Sequence, residues 1–170
     1  MNRGDATSLA SLIDELKRAY QDAGLDCADG LLLPAPKTEL DWLAHELSLA
    51  LPAELIALYA VHGGQKSAGA GVTGLFGRHQ LLTPERVIAI HQDHCEFWAD
   101  WADWSRLIPF AGWDKYDLCV DVSSGEVWEF AGTGGLDCHR PSITAVLREM
   151  LEAVRAGEEP RLREYREPSA

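Results

Sequence analysis

Asp117-Leu118-Cys119-Val120-Asp121-Val122-Ser123-Ser124-Gly125-Glu126-Val127-Trp128-Glu129-Phe130-Ala131 is the stretch that decides the fold. Branched and aromatic residues lie on either side of a Ser-Ser-Gly break. They read as two strands, 117–122 and 126–131, closed into a hairpin. Just upstream, Leu107 to Phe110 reads as a further strand. Beyond the hairpin the period changes: Ile143, Val146, Leu147, Met150, Leu151 and Val154 share one face of a helix that Ser142 begins and Gly157 closes.

The first half of the chain is helical in pattern. Leu9, Leu12, Ile13, Leu16 and Tyr20 predict an amphipathic helix behind a cap at Thr7 or Ser8, ending near Gly24. Asp26 to Gly30 reads as a loop, and Pro34 and Pro36 confine Leu31 to Leu33 to a short extended segment. Thr38 is placed to cap a second helix, with Asp41 reaching back and Leu40, Leu43 and Leu47 as its stripe. A third helix is expected from Pro52, carrying Leu55, Leu58 and Tyr59 inward until Gly63-Gly64 stops it. Six glycines between Gly63 and Gly77 predict a flexible loop or a bulged lead-in to a strand. Thr83-Pro84-Glu85 then restarts a helix. Helices, then strands, then a helix point to the α+β class.

At 170 residues with 46% hydrophobic content, the chain is sized for one core. The expected organisation is an N-terminal helix and loop (1–30), a main domain (31–157) and a charged tail (158–170). No apolar run approaches the roughly 18 residues needed to cross a bilayer. The N-terminus lacks the pattern of a signal peptide. Four widely spaced cysteines (Cys27, Cys95, Cys119 and Cys138) fit reduced thiols. A cytoplasmic protein is expected on these grounds.

A net charge of −12 would repel phosphate backbones, so direct nucleic-acid binding is not expected. The charge is uneven. Residues 87–139 hold 10 acids and 2 bases, whereas residues 140–170 balance at 6 of each. Such an asymmetry steers a basic partner; its plainer role is solubility.

Three blocks stand in a telling order: Glu46-(x4)-Leu51-Pro52-x-x-Leu55-x-x-Leu58-Tyr59-x-x-His62-Gly63-Gly64; Gly74-Leu75-Phe76-Gly77; and Leu107-Ile108-Pro109-Phe110 leading to Leu118-Cys119-Val120-Asp121-(x3)-Gly125-Glu126-Val127. Together they resemble the SUKH superfamily, which includes fungal cell-wall-assembly regulators of glucan synthesis and many bacterial immunity proteins paired with toxins. The resemblance covers roughly residues 38–156. It implies a central, largely antiparallel sheet flanked by helices, with two or three helices before it and one long helix after it. It also implies binding rather than catalysis. His62-Gly63 stands where the family often has Asn-Gly, and the helix before residue 24 lies outside the shared blocks.

Residues 93–104 are the first candidate surface. Asp93, Glu96, Asp100 and Asp103 recur at helical spacing, with Phe97, Trp98, Trp101 and Trp104 beside them. Tryptophans anchor interfaces and carboxylates attract a basic surface. The competing reading is a core-facing aromatic stripe with a solvated acidic flank. Trp113-Asp114-Lys115-Tyr116-Asp117, between two strands, is the second candidate surface, with an ordinary loop as its alternative.

His91-x-x-His94-Cys95 with Cys138-His139 offers nitrogen and sulfur for a metal, but at no usual ligand spacing. Gly69-x-Gly71-x-x-Gly74 matches the dinucleotide fingerprint without the strand and helix that give it meaning. His62, His79, His91, His94 and His139 have no nucleophile elbow to serve. The expectation is therefore a non-catalytic protein without cofactor, binding a cognate protein toxin such as a basic nuclease. A metal- or thiol-dependent hydrolase and an envelope-synthesis scaffold stand as alternatives.

Overall fold

The computed structural model describes residues 3–66, 72–132 and 135–162, the first six of them as backbone only. The hairpin read from the sequence sits at the centre of a five-stranded antiparallel meander: β1 (Gln80–Leu81), β2 (Leu107–Trp113), β3 (Tyr116–Asp121), β4 (Val127–Ala131) and β5 (Gly135–Arg140), paired in sequence order. The helices are α1 (Arg3–Asp22), α2 (Lys37–Leu47), α3 (Ala53–Tyr59), α4 (Pro84–Phe97) and α5 (Ile143–Arg155). The protein is α+β, with one long helix after the strands.

Strand alternation divides the interior in two. Leu118 and Val120 of β3, with Ile108 of β2 and Val127 of β4, face the main core under the helices, while Cys119 and Phe130 face a smaller aromatic core with Trp104 and Leu107. A bulge between Pro109 and Ala111 leaves both Phe110 and Ala111 in the main core. The Phe110 ring meets Phe76 edge-on at 5.3 Å. Each fully buried leucine or phenylalanine contributes about 1.5–3 kcal/mol by leaving water.

Helix α1 is not an appendage. Leu9, Ile13, Leu16 and Tyr20 lie in the same core as α3 and α5, and the Tyr20 hydroxyl donates to the Leu75 carbonyl at 3.2 Å. Likewise the Tyr59 hydroxyl, buried at the end of α3, donates to the Leu82 carbonyl at 2.8 Å. These buried phenols tie helices to the loop that precedes α4, because a hydroxyl taken from water must find a partner.

Several local expectations are corrected. Helix α1 begins at Arg3, so Thr7 and Ser8 stand within it rather than capping it. Helix α2 starts at Lys37, the Pro36 carbonyl accepting from Glu39 N and Leu40 N, so Thr38 is not its cap; Asp41 pairs with Lys37 at 2.6 Å instead of reaching back. Pro52 occupies the N-cap of α3 rather than its first turn. Ser142 does cap α5, its hydroxyl accepting from Ala145 N at 3.0 Å.

The glycine-rich stretch is anchored on its described side. Gly74 pairs with Gly77 and Phe76 with His79, while Leu75 and Phe76 are fully buried. Gln65, itself buried, accepts from Leu75 N at 3.1 Å and donates to Thr73 O at 3.0 Å, joining the two flanks of residues 67–71. The apparent dinucleotide fingerprint lies partly outside the described residues, and Gly74 opens a tight turn, not a helix. Strands β1 and β5 were not foreseen: the first is two residues long, and the second has no alternation to mark it. Residues 158–162 fold back on the body, with Pro160 buried and Arg78 bonded to Glu159 at 3.0 Å.

Candidate functional site

Pro84, in the first turn of α4, fixes where that helix starts, and Trp98, at φ −129°, fixes where it stops. The chain then makes tight turns over the aromatic face of the sheet. Trp101 N donates to Trp98 O at 3.0 Å, Arg106 N donates to Asp103 O at 3.1 Å, and Asp103 Oδ1 accepts from the Ser105 hydroxyl at 2.5 Å. Residues 98–106 thus form a loop closed on itself.

Trp104 holds that loop to the body. Its indole N–H donates to the Trp98 carbonyl at 2.9 Å, and its own carbonyl accepts from His91 Nε2 at 2.9 Å. Its ring lies 4.4 Å from the His94 ring and meets Phe130 edge-on at 4.9 Å. A carbonyl can only accept, so the His91 proton sits on Nε2, leaving Nδ1 facing the Cys95 thiol at 3.7 Å. His94 turns the other way and donates from Nε2 to Asp117 Oδ2 at 2.9 Å.

The structure sorts the residues of the first candidate surface. Asp93 and Glu96 are exposed on α4; Asp100 and Asp103 are exposed on the loop. Helix α4 ends at Phe97, so the four acids do not form one helical stripe. Asp100 and Asp103 line one shallow surface on the loop, while Asp93 and Glu96 stay on the helix. Phe97 and Trp101 are 65% and 51% exposed, a large apolar area left in water. Trp98 is half-buried, 6.2 Å from Trp101, and Trp104 is buried, so the core reading holds for Trp104. A shallow cavity of about 600 Å³ lies against the loop, lined by Cys95, Asp100, Trp101, Asp103 and Trp104 among others.

The second surface is the tip of the β2–β3 hairpin, where Asp114 takes φ 53°. Trp113 and Tyr116 stack at 5.7 Å with 15° between their planes. The Arg78 guanidinium stands 5.2 Å from the Trp113 ring, and Lys115 Nζ 5.9 Å from Tyr116. Asp114 is exposed. Asp117 departs from this surface: it is 7% exposed and engaged with His94, because β3 turns it onto the aromatic face. A Cβ on Gly112, its cross-strand partner, would lie 2.6 Å from Asp117 Oδ1, so any side chain there would have to displace that carboxylate.

Gly132, in the β4–β5 turn, lies between one residue of each surface. A Cβ built there would lie 3.7 Å from both the Lys115 carbonyl and the Trp98 ring. On the opposite side of the sheet a groove of about 1260 Å³ runs past Trp113, between β5 and residues 158–162. Its floor carries a His79–Glu129 contact at 2.8 Å and the Arg140–Glu149 ion pair at 2.5 Å. No local pattern marks this groove. Arg78 and His79 lie in a glycine-rich stretch without periodicity, and β5 was unrecognised.

The histidines and cysteines considered for metal or thiol chemistry are dispersed. His91, His94 and Cys95 lie on α4; Cys138 and His139 lie on β5, where His139 Nε2 meets Glu126 at 3.0 Å and its ring meets Trp128. Among the described residues, no group of three or more His, Cys, Asp or Glu is arranged to hold a metal ion. Burial pushes the Cys138 thiol up to about 11, with Glu129 and Asp137 adding to the effect. Cys119 is raised well above the ordinary thiol value by burial and by Asp117, and Cys95 is raised by partial burial. All three favour the thiol over the nucleophilic thiolate.

No helix among the described residues is long and apolar enough to cross a membrane. No curated protein matches the chain. The model of the SMI1 / KNR4 family (SUKH-1) matches residues 34–150, from the extended segment before α2 to the middle of α5, and the chain belongs to that family.

Proposed function

We propose that the protein is a non-catalytic binding protein that neutralises a cognate toxin by docking a basic surface of it, such as that of a nuclease. The family, which includes toxin-immunity proteins, supports the class of partner. The observation that carries the surface is the pairing of Phe97 and Trp101, both large and exposed, with the exposed carboxylates of Asp93, Glu96, Asp100 and Asp103. Aromatic area gives affinity once water is excluded, and the carboxylates give attraction and orientation. Asp114 and the Trp113–Tyr116 stack, at the tip of the β2–β3 hairpin, form a second and separate candidate contact.

Trp98 belongs to this reading as support, since its carbonyl receives the Trp104 indole and its ring backs Trp101. Asp117 belongs as an anchor of His94 rather than as a contact. The test is co-expression of this chain with the reading frame beside it in its own genome. The expected result is a neighbour that is toxic alone and harmless with this chain. A harmless neighbour, or toxicity unrelieved by this chain, would overturn the proposal.

A further inference from the structure

Trp113 carries an arginine of this chain. The Arg78 guanidinium stands 5.2 Å from the centre of that ring while its Nε and Nη2 donate to Glu159 Oε1 at 3.2 and 3.0 Å. A planar cation can do both at once, because its face lies on the ring while its N–H groups point outward in the plane. Trp101 offers the same two kinds of partner with no cation between them. Its ring is 51% exposed, backed by Trp98 at 6.2 Å and by Gly135, where an added Cβ would lie 3.8 Å away. Asp100 and Asp103 border the same shallow cavity, and none of the residues lining it is basic.

The two carboxylates have capacity to spare. Asp103 Oδ1 accepts from Ser105 N at 3.2 Å and from the Ser105 hydroxyl at 2.5 Å, which orients the group and leaves Oδ2 for another donor. Asp100 has no hydrogen bond or ion pair among the described residues. The two bases of residues 87–139 are engaged elsewhere: Arg106 donates to Asp121 Oδ2 at 2.6 Å, and Lys115 stands by the Tyr116 ring.

We infer that this cavity seats one arginine side chain of a protein partner, its guanidinium lying on Trp101 and its N–H groups donating to Asp100 and to Asp103 Oδ2. The identity of that partner as the toxin rests on the proposed function; the residue type at the anchor is what the cavity adds. Lysine fits less well. Its ammonium is a strongly hydrated point charge, without the flat face that stacks while the plane donates to two carboxylates. The walls are set before the partner arrives, by Trp98, Gly135 and Ser105, so less freedom is lost on binding.

The seat is tested without the toxin. Hexa-arginine and hexalysine carry the same charge, so attraction to an acidic surface alone holds them equally. Their affinities for the isolated protein are measured by calorimetry at equal ionic strength. Hexa-arginine is expected to bind about two- to fivefold more tightly. Trp101→Leu should bring the two affinities together. In the unsubstituted protein the Trp101 indole N–H signal should move with hexa-arginine more than with hexalysine, which decides the matter should Trp101→Leu not fold. Equal affinities, a preference that survives in Trp101→Leu, or a Trp101 signal that hexa-arginine leaves in place would each overturn the arginine seat. Failed protection on co-expression, by contrast, would remove the toxin as the partner and not the seat.

Discussion

Glu54 of α3 caps α5 from outside that helix: its carboxylate accepts from Ile143 N at 2.9 Å and from the Thr144 hydroxyl. A free backbone N–H at a helix start is an unmet donor with a positive partial charge, and a carboxylate satisfies both. Ser142 supplies the local cap, so Glu54 is the second one, and it binds two helices separated by the whole sheet. Glu54→Ala is therefore expected to lower stability by about 1–2 kcal/mol. Glu54→Gln should retain part of this, since it keeps the acceptor and loses the charge. Urea unfolding of the three proteins checks the order.

Asp100→Lys with Asp103→Lys tests the surface proposed for the toxin. Both side chains are exposed; Asp100→Lys should stay within about 0.5 kcal/mol in stability, whereas Asp103→Lys also gives up the hydrogen bonds from Ser105 and should cost about 1 kcal/mol. Protection of cells against the toxin should be lost in Asp100→Lys alone and in the double variant, while the unfolding midpoint falls only by the small Asp103 contribution. Wild-type affinity should also fall with added salt, because exposed charges more than about 10 Å apart are screened at 0.1 M. Full protection by the double variant would remove this face from the interface without touching membership of the family.

How much of this was legible beforehand differs between fold and site. The hairpin of β3 and β4 and the helices were readable because each buries one regular face: Ile143, Val146, Leu147 and Met150 are all fully buried, as their spacing requires. β5 was not readable, because Gly135, Cys138 at φ 51° and a register shift against β4 break the two-residue period. The acids of residues 93–103 were found by charge alone. Their real arrangement depends on Trp104 folding back under the loop, a tertiary contact with His91, His94 and Phe130 that no local pattern encodes. Asp117 looked like a surface acid for the same reason: its partner is 23 residues away.

Thiol reactivity offers a check on the burial of the four cysteines. Cys95 is exposed, whereas Cys27, Cys119 and Cys138 are buried, and burial pushes Cys27 up to about 12. A group whose native pKa is raised stays protonated over a wider range, and only the thiolate attacks. Native protein at pH 8 is expected to label at one thiol quickly, with the remaining three reacting only after denaturation. Cys95→Ser should abolish the fast phase. Fast labelling of Cys138 would show that the β4–β5 end of the sheet opens readily.

Gly77 and Gly24 share a backbone conformation and differ in surroundings, and the pair separates two causes of strain. Both have φ +72°, which costs a side-chain-bearing residue about 1–2 kcal/mol. A Cβ at Gly24 would meet nothing within 4 Å, whereas one at Gly77 would lie 2.1 Å from the Pro160 carbonyl oxygen and 3.0 Å from Met150 Sδ. Backbone cannot step aside as a side chain can. Gly24→Ala should therefore lose only the conformational part. Gly77→Ala should lose that and also displace residues 158–162, breaking the Arg78–Glu159 pair and opening the groove beside Trp113. The measurements are urea unfolding for both variants and proteolysis C-terminal to Arg161, expected to accelerate in Gly77→Ala alone. Equal stability losses in the two variants, with no change in cleavage, would mean that residues 158–162 are not held against Gly77 in solution.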